Sequence, residues 1–359
     1  MPRRELPVVR EGQTDVKLTR HEFAGRFRER FHAPDSDAAS DALAALEATA
    51  WAAYDEYRKS PRTRKAGAGF ADPDFELPVE WLEARERVRE AQQRHETAAT
   101  HRILVVCASP RSDQTCPGEM SKTFRLARVA AEELESGGAE VDFLDLSRLT
   151  AEYGRVIHPC KACVSTAMPL CHWPCSCYPN HALGQVNDWM NDLYPRWVAA
   201  HGILIVTPVH WYQAPTTLKS MMDRLVCADG GNPDPTSTAG KTPDRAKALE
   251  LAGWRYPRHL SGRAFAVVVH GDAAGVDALR NALAGWLTDM ELVPALGGGV
   301  IGRYTGYYEP YATSHDALDD DEAFLEETRE AARALLATVP SSRSGTHPAR
   351  RERRTPRPK

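Results

Sequence analysis

The alternation of apolar and polar positions changes character near residue 100. Upstream, two stretches predict helices: 37–57, with Leu43, Leu46, Ala50, Trp51 and Tyr54 at helical spacing, and the heavily charged 78–95. Ser60-Pro61 and the Gly- and Pro-bearing 65–74 separate them. These apolar positions are too few for an independent core, so residues 1–99 read as a mainly helical extension that packs on something else. From residue 101, short apolar runs alternate with amphipathic stretches. Runs at 103–107, 141–146, 203–206 and 264–269, with a fifth inside 292–301, predict strands. Stretches at 121–135, 183–200, 216–226, 276–290 and 319–336 predict helices. Continuous apolar runs mark strands buried on both faces. Five strands interleaved with helices predict an α/β domain over 100–340, a doubly wound parallel sheet with right-handed crossovers. No internal repeat is visible.

Composition narrows the class. The chain has 359 residues, 42% hydrophobic and 26% charged, which excludes wholesale disorder and fibrous repeats. No apolar run approaches the roughly 20 residues that cross a bilayer. Residues 1–10 have no apolar stretch behind their charges, so the expectation is a soluble cytoplasmic protein with no membrane association. The segment 341–359 holds seven Lys/Arg against one Glu, so the rest of the chain carries -10 of the net -4. A mildly acidic body argues against a nucleic-acid-binding core. The segment 341–359 reads as a disordered, solvated basic tail, with a nucleic-acid or membrane-surface arm as its alternative.

Five of the eight cysteines fall within 18 residues, as Cys160-x2-Cys163-x7-Cys171-x3-Cys175-x-Cys177, flanked by His158 and His172. In a cytoplasmic protein such clustering points to metal or redox chemistry before structural disulfides. Thiolates bind iron–sulfur clusters or zinc, and Cys160 with Cys163 form the leading ligand pair, since two intervening residues let both sulfurs face one ion. Free thiols, or disulfides without metal, stay open beside these.

Two loops carry candidate ligand chemistry. The first strand ends in Ala108-Ser109-Pro110-Arg111-Ser112, and a helix follows near Ser121-Lys122-Thr123. A loop entering a helix N-terminus at the carboxyl end of a parallel strand suits phosphate. Ser109, Ser121 and Thr123 add hydroxyls, and Arg111 or Lys122 adds charge. The alternative is that Ser and Thr merely cap the helix. Neither GxGxxG nor GxxxxGK[ST] is present. The third strand runs into Thr207-Pro208-Val209-His210-Trp211-Tyr212-Gln213, where aromatic faces and backbone amides suit a planar heterocycle; packing against the sheet or a partner subunit is the alternative.

Ser109-Pro110-Arg111 with Ser121-Lys122-Thr123, then 207–211 and Leu218-Lys219-Ser220-Met221-Met222-Asp223-Arg224, resembles the NADPH-dependent FMN reductase family of flavodoxin-like proteins over roughly 101–338. The resemblance implies FMN with its phosphate on the first loop, its ring on Pro208, Val209, His210, Trp211, Tyr212 and Gln213, and a third flavin loop at His270-Gly271-Asp272 near Gly275. It implies NAD(P)H as donor, a small acceptor of the quinone, azo, nitro or flavin class, and a homodimer or homotetramer with the ring near the interface. The sequence departs from the family pattern in Ala108 where Gly is usual, in an insertion around 114–120, and in His210 where Tyr is common. Residues 1–99 have no counterpart there. His210 or His270 is a candidate proton donor or, equally, a hydrogen-bonded structural histidine. The connection 227–259 reads as a lid or interface wall of the flavin site, and Tyr304, Tyr307, Tyr308 and Tyr311 as interface packing. Related iron–sulfur flavoproteins place a tighter C-x2-C-x2-C motif in the region of the cysteine cluster, within reach of the flavin. That leaves an iron–sulfur electron carrier as an alternative to a plain reductase, and a non-enzymatic flavodoxin-like interaction module as a third reading.

Overall fold

A computed structural model describes residues 13, 17–30, 37–56, 62–165, 167–178 and 188–345. In chain order the elements are α1 (Arg20–Arg28), α2 (Asp37–Asp55), a hairpin of β1 (Thr63–Lys65) and β2 (Glu76–Pro78), α3 (Val79–Thr97), β3 (Arg102–Cys107), α4 (Lys122–Ser136), β4 (Glu140–Asp145), α5 (Arg148–Ala151), α6 (Met190–Ala199) and β5 (Gly202–Pro208). Then follow α7 (Thr216–Arg224), α8 (Pro243–Leu251), β6 (Ala264–Gly271), α9 (Val276–Asp289), β7 (Val293–Pro294), β8 (Val300–Tyr304), α10 (Ser314–Asp319) and α11 (Glu322–Arg343).

The main sheet is parallel throughout, in the order β4-β3-β5-β6, with β7 and β8 both paired to β6. Counted from β3 this is the flavodoxin-like order 2-1-3-4-5, and the order reverses between β3 and β5. The central strands explain the continuous apolar runs: β6 is buried along its whole length, and β5 along all but Pro208. The expected fifth strand is split in two. A Cβ on Gly299 would lie 2.4 Å from the Ala295 Cβ, so only glycine allows the tight excursion between β7 and β8. Helix α4 covers one face of the sheet because Leu126, Ala127, Ala130, Ala131 and Leu134 recur at helical spacing and join the core with Val105, Leu204 and Val268. Ser121 caps it, accepting the Phe124 N–H, and it ends at Gly137-Gly138.

The chain folds into two compact units, which differ from the linear segments 1–99, 100–340 and 341–359. One unit combines Met1–Arg89, Gly154–Tyr194 and Asp223–Pro257; the other combines Glu90–Tyr153, Pro195–Met222 and Arg258–Lys359. The extension thus finds its packing partner in the cysteine-bearing segment and the long connection. The Trp81 indole N–H donates to the Pro174 carbonyl at 2.9 Å, the Ala71 N–H to the Asp234 carboxylate, and the Asp72 N–H to Thr236 Oγ1. Trp81 is buried with Phe70 and Leu77, while Phe23 and Phe27 pack with Trp51 and Tyr54. The connection 227–259 holds α8, and its residues 227–257 belong to this unit. Helix α1 and the β1–β2 hairpin also go beyond the two helices expected in the extension. The α1 signal was a capping box, Thr19 with Glu22, which both bond reciprocally. The last helix runs on to Arg343, past the expected start of the basic tail at 341. Residues 183–187 of the expected 183–200 helix, Ser60-Pro61 and tail residues 346–359 lie outside the described residues. Among the described residues, no helix is long and apolar enough to cross a membrane.

Candidate functional site

The carboxyl ends of β3, β5, β6 and β8 open onto a cleft of about 310 Å3. Eleven of the fourteen expected cofactor residues line it: Ser109, Arg111, Ser121, Lys122, Thr123, Pro208, Val209, His210, His270, Gly271 and Asp272. Four separate loops converge there because parallel strands all end on the same edge. Thr305, Ser314 and His315, which sequence reasoning missed, also line it, as does Tyr311, which was expected as interface packing. Their signal was position: they follow the fifth strand, whose carboxyl end faces the same crevice.

The end next to α4 is rich in donors. Ser109 Oγ accepts the Arg111 N–H at 3.1 Å and closes a tight turn after β3. The Arg111 guanidinium donates to the Met120 carbonyl at 3.2 Å and lies over the Tyr311 ring, while its buried Nε has no hydrogen-bond partner. Tyr311 in turn donates to Glu119 of the 114–120 insertion. Lys122 donates from Nζ to the Thr305 carbonyl at 3.1 Å, and burial lowers its pKa.

His270 is buried behind this end. Its Nε2 is 2.9 Å from Thr123 Oγ1 and its Nδ1 3.3 Å from Thr305 Oγ1. Burial, then the charge of Lys122 and His210, pushes its pKa down to about 3. It is a neutral, hydrogen-bonded bridge between α4 and the segment after β8, so the proton-donor role held open for it is not supported. His210 lines the cleft from an exposed position, and partial desolvation lowers its pKa as well.

The 208–213 loop departs from expectation in detail. The Val209 N–H donates to the His270 carbonyl, and the His210 and Gln213 amides donate to each other's carbonyls. Those three amides are therefore engaged, and only Trp211 and Tyr212 at the turn's tip are left to meet a heterocycle. Both have left-handed backbones, φ 48° and 65°, and are 94% and 61% exposed. Trp211, Tyr212 and Gln213 do not line the cleft. The loop is pinned against α9: a Cβ on Gly275 would lie 2.8 Å from the Tyr212 Cα.

The cysteines fall in the other compact unit. The expected set of Cys160, Cys163, Cys171, Cys175 and Cys177 does not assemble as ligands: among the described residues, no three His, Cys, Asp or Glu side chains are arranged to hold a metal ion. Cys163 Sγ lies 3.6 Å from Cys177 Sγ, and Lys241 Nζ lies 3.4 Å from Cys163 Sγ. The Lys241 ammonium thus lies beside that sulfur. The hydrogen bond from Cys177, and then the Lys241 charge, hold the Cys163 thiol down at about 6. Burial pushes the Cys171 and Cys227 thiols up, and Cys175 is raised by its bond to Cys177 and by burial. Cys160 Sγ accepts the Ala162 N–H. The flanking histidines are buried: His158 stacks on Tyr178, and His172 bonds Ser176 and Thr238.

Strand order, switch-point cleft and phosphate-type loop together define a flavodoxin-like protein. Residues 101–304 match the family described as NADPH-dependent FMN reductase, more than half of the chain, and the chain belongs to that family. It is 27% identical over 125 residues to an iron–sulfur flavoprotein of Methanosarcina thermophila, covering 35% of this chain and 52% of that one. The chain thus spans about half the length of the curated relative it matches. Among solved structures, a flavone reductase aligns at 15% identity and TM-score 0.41 over 68% of this chain and 64% of that one. An FMN-dependent NADH-azoreductase of Bacillus anthracis, in complex with FMN, aligns at 15% identity and TM-score 0.36 over 66% and 99%.

Proposed function

We propose that the cleft binds FMN and that the chain is an FMN-dependent oxidoreductase, taking electrons from NADPH or NADH and passing them to a small acceptor of the quinone, azo, nitro or flavin class. The observation that carries this is the convergence of eleven residues from separate loops on one cleft at the switch point. The residues present fit the phosphate end of FMN: the α4 N-terminus, three hydroxyls and an unpartnered, buried Arg111 Nε form an anion cradle. Bound there, the flavin supplies two-electron chemistry that no side chain of the cleft supplies. Ser109, Ser121 and Thr123 orient the phosphate, and Arg111 and Lys122 balance its charge. His270, neutral between two threonines, fixes the cradle's back wall. The Trp211–Tyr212 tip, at the end of the loop that lines the cleft with Pro208, Val209 and His210, would meet the ring.

The exposed aromatic tip also favours the reading that a second copy of the chain covers it, in a homodimer or homotetramer. Sedimentation of the purified protein tests that, a monomer at micromolar concentration counting against it.

An absorbance spectrum of the purified full chain, before and after anaerobic NADPH, tests the main reading. A flavin spectrum bleached by NADPH is expected, and NADH in parallel sets the donor preference. Protein that neither contains nor binds FMN sinks the proposal. The iron–sulfur carrier reading has the archaeal likeness behind it, and the same spectrum reports it as broad absorption that persists once the flavin is bleached.

A further inference from the structure

The cysteine-bearing unit contains a feature that FMN chemistry does not use. Cys163 Sγ and Cys177 Sγ are 3.6 Å apart, in contact though unbonded, against 2.03–2.05 Å in a disulfide. Lys241 is anchored beside them, with Nζ 2.7 Å from the Leu170 carbonyl and 3.4 Å from Cys163 Sγ. Cys163 is half-buried and Cys177 buried, which separates an attacking sulfur from a resolving one. Lys241 also lines a cavity of about 410 Å3 whose walls include Phe75, Trp81, His172 and Pro235, room for the organic part of a small molecule. All of these residues belong to one compact unit, and the extension contributes Phe75 and Trp81 to it.

We propose that Cys163 and Cys177 form a reversible dithiol–disulfide couple that exchanges with small-molecule disulfides, with Lys241 stabilising the attacking sulfur. The Cys163 thiolate attacks one sulfur of the small disulfide, whose S–S bond breaks and releases one thiolate. The resulting mixed disulfide is attacked at Cys163 Sγ by Cys177, which expels the second thiolate and closes the Cys163–Cys177 bond. Two protein thiols are oxidised and one small disulfide is reduced to two thiols, which take up the two protons from Cys163 and Cys177. The couple stands independently of FMN binding, and it accounts for a cysteine pair that has a lysine ammonium beside it.

The test uses the full-length, anaerobically reduced protein carrying Cys116→Ser, because the exposed Cys116 would compete for the reagent. With 4,4′-dithiodipyridine as the disulfide, a fast release of two thiopyridones per chain is expected, and peptide mapping finds a Cys163–Cys177 disulfide. Cys177→Ser releases one thiopyridone quickly and keeps a pyridyl adduct on Cys163. Cys163→Ser abolishes the fast phase, and Lys241→Met slows it about tenfold. If either cysteine variant fails to fold, the disulfide map of the parent protein and the Lys241→Met rate decide. A disulfide mapped to other cysteines overturns the proposal, as does a fast phase that survives Cys163→Ser or is indifferent to Lys241→Met. Near-stoichiometric iron with sulfide, or zinc, in the purified protein and lost from both cysteine variants also overturns it. FMN content measured on the same samples separates any such failure from failure of the flavin reading.

Discussion

His270 shows how one side chain decides between a catalytic and a structural reading. A histidine at a strand end beside a candidate flavin loop is a reasonable proton donor on sequence alone. In the folded chain its ring is buried between Thr123 and Thr305, and its pKa falls from 6.5 to about 3. Above pH 6.5 neither folded nor unfolded chain holds that proton, so the stability contribution of the neutral ring is fully present. Between pH 6.5 and about 3 the unfolded chain binds a proton that the folded one refuses, and stability falls by about 1.4 kcal/mol per pH unit. Urea midpoints taken from pH 7 to pH 4 should therefore drop less steeply for His270→Asn than for the parent protein. Superimposable curves would show that the ring is not held neutral. Arg224 makes the same point from the other side. It ends the L-K-x-x-x-D-R-like stretch that supported the flavin resemblance, yet its side chain and that of Asp188 are 1% and 0% exposed and 2.6 Å apart. It also donates to the His158 carbonyl at 3.0 Å. Asp188→Asn strands a buried guanidinium charge and should lower stability by about 3–5 kcal/mol, read from denaturant midpoints. The double variant Asp188→Leu/Arg224→Met should lose much less.

Elements were legible wherever one periodicity dominated. β3, β5 and β6 are continuous apolar runs because both faces of each are covered, and α4 keeps one seam from Leu126 to Leu134 between a serine cap and a Gly-Gly stop. Short elements stabilised by a partner distant in sequence were not legible: the β1–β2 hairpin has only three residues per strand, and the Gly and Pro between them read simply as breakers. The tip of the 208–213 loop is the sharpest case. A tight two-residue turn with both central residues at positive φ normally signals itself as Asn-Gly, and here the positions hold Trp211 and Tyr212. Nothing in the sequence marks that conformation, which costs about 1 kcal/mol or more per non-glycine residue. Under the proposed flavin reading, that strain is offset by what the two side chains contribute to the ligand. The double variant Trp211→Asn/Tyr212→Gly should accordingly raise the melting temperature while weakening FMN affinity and slowing NADPH oxidation. A variant that gains stability and keeps full FMN affinity would remove the tip from the flavin site.

At the scale of the whole chain, the α/β class and the cleft could be read from sequence because the carboxyl edge of a parallel sheet gathers loops that follow predictable strands. The division into units could not. It joins three stretches of chain through contacts such as Ala71 to Asp234 and Trp81 to Pro174, more than ninety residues apart in sequence, which leave no periodic trace. It also moves the cysteines out of the flavodoxin-like unit into the unit of the extension, so that cofactor and thiols become separable by experiment. A ligand that binds only the folded state stabilises it by about 2.7 kcal/mol at a hundredfold excess over its dissociation constant. Saturating FMN should therefore raise the melting temperature of the full chain by several degrees. Hydrogen exchange should place the added protection in the first turn of α4 and at the carboxyl ends of β3, β5 and β6, where opening must now expel the ligand. Dithiodipyridine, without FMN, should instead alter exchange around residues 160–178 and near Lys241. FMN protection confined to the cysteine-bearing unit would place the flavin site elsewhere, whatever the cleft offers. No change in exchange near the thiols on oxidation would argue that Cys163 and Cys177 do not close.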